Sequence, residues 1–177
     1  PAKFFNSTKI TGDQTLWRQT KMYYFKEHLY KFVNEFNLDL IIPQNVLSFP
    51  LSISFSMALT ELIAETNIPT IAHHHDFTWE RKPLLVNSIW DYITMAVPPH
   101  HTAVQHVVIN SSASHQLARR VGVSSTIIPN VMEYEKPPAE PDDFAADVRQ
   151  ALKLDPDEYL ILQPTRVVQR KGIEHAI

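Results

Sequence analysis

The sequence predicts an α/β protein in which a parallel sheet is flanked by helices. Three observations lead there. Short apolar runs of four to six residues alternate with longer amphipathic stretches along the 177-residue chain, the pattern of βα units. Nearly every apolar run ends in polar residues, and no internal repeat competes with this reading.

The first element is a helix expected over 13–36. Asp13 is placed to cap it, and Met22, Phe25, Leu29, Phe32, Val33 and Phe36 recur at three- and four-residue steps. Lys21, Lys26, Glu27 and Lys31 fall off that stripe. After Asn37, the run Leu38-Asp39-Leu40-Ile41-Ile42 has the length of a buried strand, closed by Pro43. A second helix is expected near Pro50, with Ser48 as cap and Leu51, Phe55, Ala58, Leu59 and Leu62 as its apolar face. Pro69 leads into a strand over 70–74. The stretch 82–95 reads as a less regular helix.

His106-Val107-Val108-Ile109-Asn110 reads as a third strand. Ser114 is expected to cap the helix that follows, with Gly122 just past its end. Thr126-Ile127-Ile128-Pro129 is a fourth strand. Composition changes over 133–143, where Pro137, Pro138 and Pro141 sit among acidic residues, as in a linker. Asp142 or Asp143 then caps a helix carrying Phe144, Val148 and Leu152. Tyr159-Leu160-Ile161-Leu162 has the pattern of a last buried strand.

The bulk properties exclude several function classes. A net charge of −3 gives no electrostatic basis for nucleic acid as a partner. No apolar run reaches the ~18 residues of a membrane span, and 1–6 do not read as a signal peptide. Without cysteine there is neither a disulfide scaffold nor a thiolate metal site, and a cytoplasmic protein is the expectation. Glycine is scarce: Gly12, Gly122 and Gly172 stand where ordinary usage predicts about a dozen. A glycine-rich phosphate loop is therefore missing from this stretch of sequence.

In an open parallel sheet, ligands bind beyond the carboxyl ends of the strands. The residues there are Gln44 and Asn45, then His73-His74-His75-Asp76, Asn110-Ser111-Ser112, Asn130, and Pro164-Thr165-Arg166 with Gln169-Arg170-Lys171-Gly172. The histidine run suggests a metal, as in a hydrolase built on His73, His75 and Asp76. Neighbouring strand residues face opposite sides, and two ligands do not make a site. No metal is expected. Arg166 and Lys171, after an apolar run and before a helix start, form a set suited to a diphosphate: a guanidinium fork, a point charge and backbone donors. A solvated basic loop is the plainer alternative.

At this point the chain resembles the retaining GT-B glycosyltransferases of the family 4 type. Arg166-Val167-Val168-Gln169-Arg170-Lys171-Gly172 resembles the start of their donor domain, where a strand is followed by Arg, four residues and Lys-Gly. Val107 to Ser112, the helix to Val121, and Ile127-Ile128-Pro129-Asn130 resemble the family's strand, Ser-rich helix start, helix and "Ile-Pro-Asn-Gly". Ile68-Pro69 and the strand ending at His75 resemble its active-site histidine segment. The likeness runs from Leu38 to Lys171 with gaps, and the order of three motifs makes it specific.

The resemblance implies a Rossmann-like acceptor-side domain over 1–157, lacking its first βα unit, and the beginning of a nucleotide-sugar domain over 158–177. It implies that a sugar passes from a nucleotide diphosphate sugar to an acceptor with retention, with no other cofactor. His75 would contact the donor sugar near the reacting carbon as the catalytic residue. Arg166 and Lys171 would hold the diphosphate as it leaves. Asn45, Asp76, Arg81 and Asn110 would be sugar or acceptor contacts. Val131 stands where the family has glycine, so the turn after Asn130 must differ. The family's paired glutamates are not in this sequence, and the piece alone is expected to be inactive. An epimerase or phosphorylase-like relative, and a Rossmann-like domain that only binds, remain as alternatives.

Overall fold

The computed structural model describes residues 12–137, 139–140, 142–168 and 171–175. Pro138, Pro141, Gln169, Arg170 and the side chain of Asp13 lie outside the described set. The chain divides into two compact units, Pro1–Val131 and Met132–Ile177.

The first unit is an α/β Rossmann-like layer. Strands β1 (Thr70–His74), β2 (Val104–Val108) and β3 (Ser125–Ile127) form a parallel sheet in the order β1-β2-β3. Thr70 faces Val104, and His106 faces Ser125. On the outer side of β1, Ile41 and Gln44 make isolated parallel bridges to Thr70 and His73. The expected strand over 38–42 is thus reduced to two bridges, shifted towards Pro43. Proline has no N–H to give, and the Pro43 carbonyl instead accepts from the His73 amide at 3.1 Å.

Helix α1 (Gly12–Glu35) packs against α2 (Ile53–Thr66). Met22 is buried, and Phe25, Leu29 and Val33 pack against the core. Phe32 and Phe36, expected on the same stripe, are half exposed and meet each other as tilted rings with centres 4.9 Å apart. Lys26 also departs from expectation. It lies on the packed side and bridges Glu61 and Glu65 of α2. Its long stem covers apolar surface while the ammonium reaches the carboxylates.

Helix α2 begins three residues later than Pro50 suggests. Ser52 stands at the cap, Leu51 is exposed, and Met57, Ala58, Leu59, Leu62 and Ile63 are buried. Asn67, in the left-handed region at φ 54°, closes it with its amide on the Ile63 carbonyl. The stretch 82–95 resolves into a 3-10 turn at Lys82–Leu84 and helix α3 (Trp90–Ala96).

Helix α4 (Ser111–Val121) is capped by Asn110 rather than by Ser114. Asn110 Oδ1 accepts from the Ala113 amide at 2.8 Å, whereas Ser114 lies within the helix and its hydroxyl takes a bond from Ser125 Oγ. Gly122 (φ 79°) ends α4 as expected. Ala113 and Leu117 of α4 meet Phe77, Val108 and Val123 in a small core on one side of the sheet.

In the second unit Asp142 accepts from the Ala145 amide and starts α5 (Asp143–Ala146), followed by α6 (Val148–Ala151). The single helix expected there breaks at Asp147. Phe144 and Val148 are exposed, and a short helix with no surface to bury against is marginal. The strand expected at Tyr159 to Leu162 does not form. Those four side chains are exposed, and a strand exists only by pairing.

Candidate functional site

The carboxyl ends of the first unit's strands gather Gln44, Asn45, His73, His75, Asp76, Arg81 and Asn110. Asn45 organises most of them. Its backbone takes φ 60°, a conformation that asparagine tolerates better than most residues. Its amide donates to the His73 carbonyl at 2.8 Å. Its Oδ1 accepts from the amides of His75 (3.0 Å) and Asp76 (2.9 Å) and from Ser48 Oγ (3.1 Å). One side chain therefore ties the end of β1 to the loop after Pro43.

Asn45→Ala is expected to lower unfolding free energy by about 1–3 kcal/mol, because two part-buried amides lose their acceptor. Asn45→Asp, which keeps an acceptor oxygen, should recover most of it in a denaturant titration.

His75 follows β1. Its Nε2 meets Gln44 Oε1 at 3.2 Å. An amide oxygen can only accept, so Nε2 is the donor in this contact. The His73 and His75 rings pack at 4.4 Å. Asp76 is engaged by Arg81, whose guanidinium also lies 6.0 Å from the Phe49 ring. Glu80 holds the following turn by accepting from the Phe77 amide at 3.0 Å. Asn110 spends its Oδ1 on the α4 cap.

The middle of the three consecutive histidines turns away from the other two, as strand alternation requires. His74 turns inward, with its Nε2 2.9 Å from His106 Nδ1 and its ring stacked on that of His106. Both are buried. Among the described residues no cluster of three His, Cys, Asp or Glu could hold a metal ion.

Burial, then the neighbouring His106, push His74 down to about 3. Burial pushes His106 down to about 4, with the Pro99 backbone acting in the opposite sense. Both are neutral when folded and bind protons more readily when unfolded, near 6.5. Stability is therefore full above pH 6.5 and is lost as pH falls from there towards 4. By pH 5 the loss for the pair is expected to be on the order of 2–4 kcal/mol. A denaturant midpoint that stays flat from pH 7 to 5 would contradict the buried pair.

In the second unit Arg166 and Lys171 are exposed. The Val168 amide donates to the Arg166 carbonyl and the Lys171 amide to the Val168 carbonyl, each at 2.9 Å. Gly172 takes φ 61°, and a 3-10 turn, Ile173–His175, follows.

The contact made by one contributor, and the presence of another, escaped sequence reasoning. Gln44 was visible as a strand-end residue, but its hold on His75 depends on the Ile41 and Gln44 bridges. Glu80 lies in a turn that no periodicity marks.

Comparison with known proteins adds three curated relatives. The chain is 38% identical over 156 residues to the mannosylglucosylglycerate synthase of Thermotoga maritima, a match covering 86% of this chain and 35% of that protein. It is 33% identical over 166 residues to the mannosylglucosylglycerate synthase of Petrotoga mobilis, covering 87% and 38%. With the mannosylglucosyl-3-phosphoglycerate synthase of Petrotoga mobilis it shares 32% over 137 residues, covering 70% and 26%. The chain thus spans little more than a third of the length of the first two of these relatives. No family model matches it, and no solved structure does.

Proposed function

We propose that this chain is the acceptor-side domain and the beginning of the donor-side domain of a retaining GT-B glycosyltransferase of the family 4 type. It moves a sugar from a nucleoside diphosphate sugar to a glycosylglycerate-type acceptor in the cytoplasm. The observation that carries the reading is the polar shelf at the carboxyl end of the parallel sheet. There Asn45 fixes the loop bearing His75, and Gln44 orients the ring. The names of the relatives, synthases of mannosylated glucosylglycerates, supply the chemical class of the acceptor.

In this reading Nδ1 of His75 accepts a hydroxyl of the donor sugar and fixes the reacting carbon against the acceptor. Arg166 forks onto the diphosphate and Lys171 adds a point charge, so negative charge developing on the leaving phosphate meets preorganised cations. Stabilisation of that kind is commonly the largest single contribution to rate. Asp76 with Arg81, and Asn110, border the sugar. No metal takes part.

The test is a thermal-shift panel of UDP- and GDP-sugars against the full-length protein. A stabilising response of RT ln(1 + [L]/Kd) to one nucleotide class is expected. No response to any member, with a cooperative melt, would favour a domain that binds something else.

A further inference from the structure

His73 lies near the end of β1, and His75, two residues on, falls on the same side of the chain, as strand alternation directs. The centres of the two rings are 4.4 Å apart, with their planes tilted by 42°. We propose that His73 is a positioning residue, whose flat ring backs the His75 ring and holds it in the orientation in which Nε2 donates to Gln44. The role rests on the transferase reading above, in which His75 contacts the donor sugar.

The need for a second contact follows from the side chain of His75. The outer torsion of a histidine has broad wells, so one hydrogen bond at Nε2 leaves the ring room to swing. The bond to Gln44 Oε1, at 3.2 Å, fixes one ring atom. A flat neighbour packed against the ring removes the remaining freedom.

His73 is itself well anchored. Its amide donates to the Pro43 carbonyl at 3.1 Å, and its carbonyl accepts from the Asn45 amide at 2.8 Å. It is paired in register with Val107 of β2 on one side and bridged to Gln44 on the other. The two residues that touch the His75 ring, Gln44 and His73, are therefore neighbours across one backbone bridge. Their spacing is set by the sheet rather than by a mobile loop.

The chemistry of His73 points to its plane rather than to its nitrogens. Burial, then the neighbouring His75, holds its pKa below the usual histidine range, so the ring is uncharged at neutral pH. Its Nε2 is buried and has no hydrogen-bond partner among the described residues. A buried polar atom without a partner costs stability, and an apolar group of similar shape removes that cost. A phenylalanine is thus expected to replace His73 in this role, whereas a leucine fills space without offering a flat face.

The experiment compares full-length wild type with His73→Phe, His73→Leu and His73→Ala. Transfer kinetics are read beside calorimetry with UDP and GDP and thermal melts. His73→Leu and His73→Ala should lower kcat about tenfold, the scale of a small misplacement of a reacting group. Nucleoside diphosphate affinity should stay within about twofold. His73→Phe should keep kcat within about threefold of wild type and melt no lower. The alanine variant is read only if it melts cooperatively, and the leucine variant, which leaves no cavity, carries the test if it does not.

A second readout needs no turnover. With 15N-labelled histidine at pH 8, long-range proton–nitrogen NMR is expected to show His75 as one tautomer, protonated at Nε2, in wild type and His73→Phe. His73→Leu should show an averaged mixture. Equal kcat in the leucine and phenylalanine variants, or one unchanged His75 tautomer in all of them, overturns the positioning role. Absence of sugar transfer by wild type, with the tautomer pattern as expected, would instead overturn the transferase reading.

Discussion

Arg166→Ala in the full-length protein is expected to weaken nucleoside diphosphate binding by about 2–3 kcal/mol, roughly 30- to 150-fold. The argument begins with the side chain. A guanidinium offers five fixed donors and grips two phosphate oxygens at once, and Arg166 is exposed. Its neighbour in sequence Lys171 donates its amide to the Val168 carbonyl and precedes Gly172 in the left-handed region.

Arg166→Lys should recover only part of the loss, because an ammonium keeps the charge but loses the fork. If the loss fell on ground state and transition state alike, KM for the donor would rise at constant kcat. A role in stabilising the departing diphosphate predicts that kcat falls as well. Titration calorimetry with UDP and GDP, beside steady-state kinetics, separates the two. Unchanged affinity in a folded variant would remove Arg166 from the site.

The second large effect is expected at His75. His75→Ala should lower kcat about a hundredfold, the scale of one well-placed polar group in the transition state. Nucleotide affinity should stay within about threefold, since in the proposed role the ring meets the sugar rather than the diphosphate. The structure gives the reason for a kcat effect. The ring is oriented by Gln44 Oε1 at 3.2 Å, and its loop is clamped through Asn45. A group held on two sides loses little freedom when substrate arrives.

His75→Asn, with an oxygen near the position of Nδ1, should retain more activity than His75→Ala. Equal loss in both variants, with a matching fall in thermal stability, would point to a structural role instead.

Much of this was legible in the sequence. The strands around Thr70 and Val107, the helix ending at Gly122 and the polar strand ends all follow from apolar runs and their boundaries. What was not legible depended on partners distant in sequence. Lys26 looks like a solvent-face residue until α2 brings Glu61 and Glu65 to it. His74 looks like its two neighbours until β2 sets His106 beside it.

Asn45 is the instructive site residue. Its type and place after an apolar run suggested substrate contact, and the structure gives its Oδ1 three donors within the protein. The run Tyr159 to Leu162 shows the limit of apolar patterning. Hydrophobic residues propose a strand, but pairing makes one, and here all four side chains are exposed.

The measurement that bears most directly on the central claim is product analysis. The full-length protein would be incubated with UDP- and GDP-hexoses and glucosylglycerate, and the mixture resolved by mass spectrometry and NMR. A glycosylated glucosylglycerate whose new linkage keeps the donor's anomeric configuration, formed with release of nucleoside diphosphate, is the predicted result. Free hexose without acceptor product, an inverted linkage, or an unchanged mixture from protein that melts cooperatively would contradict it.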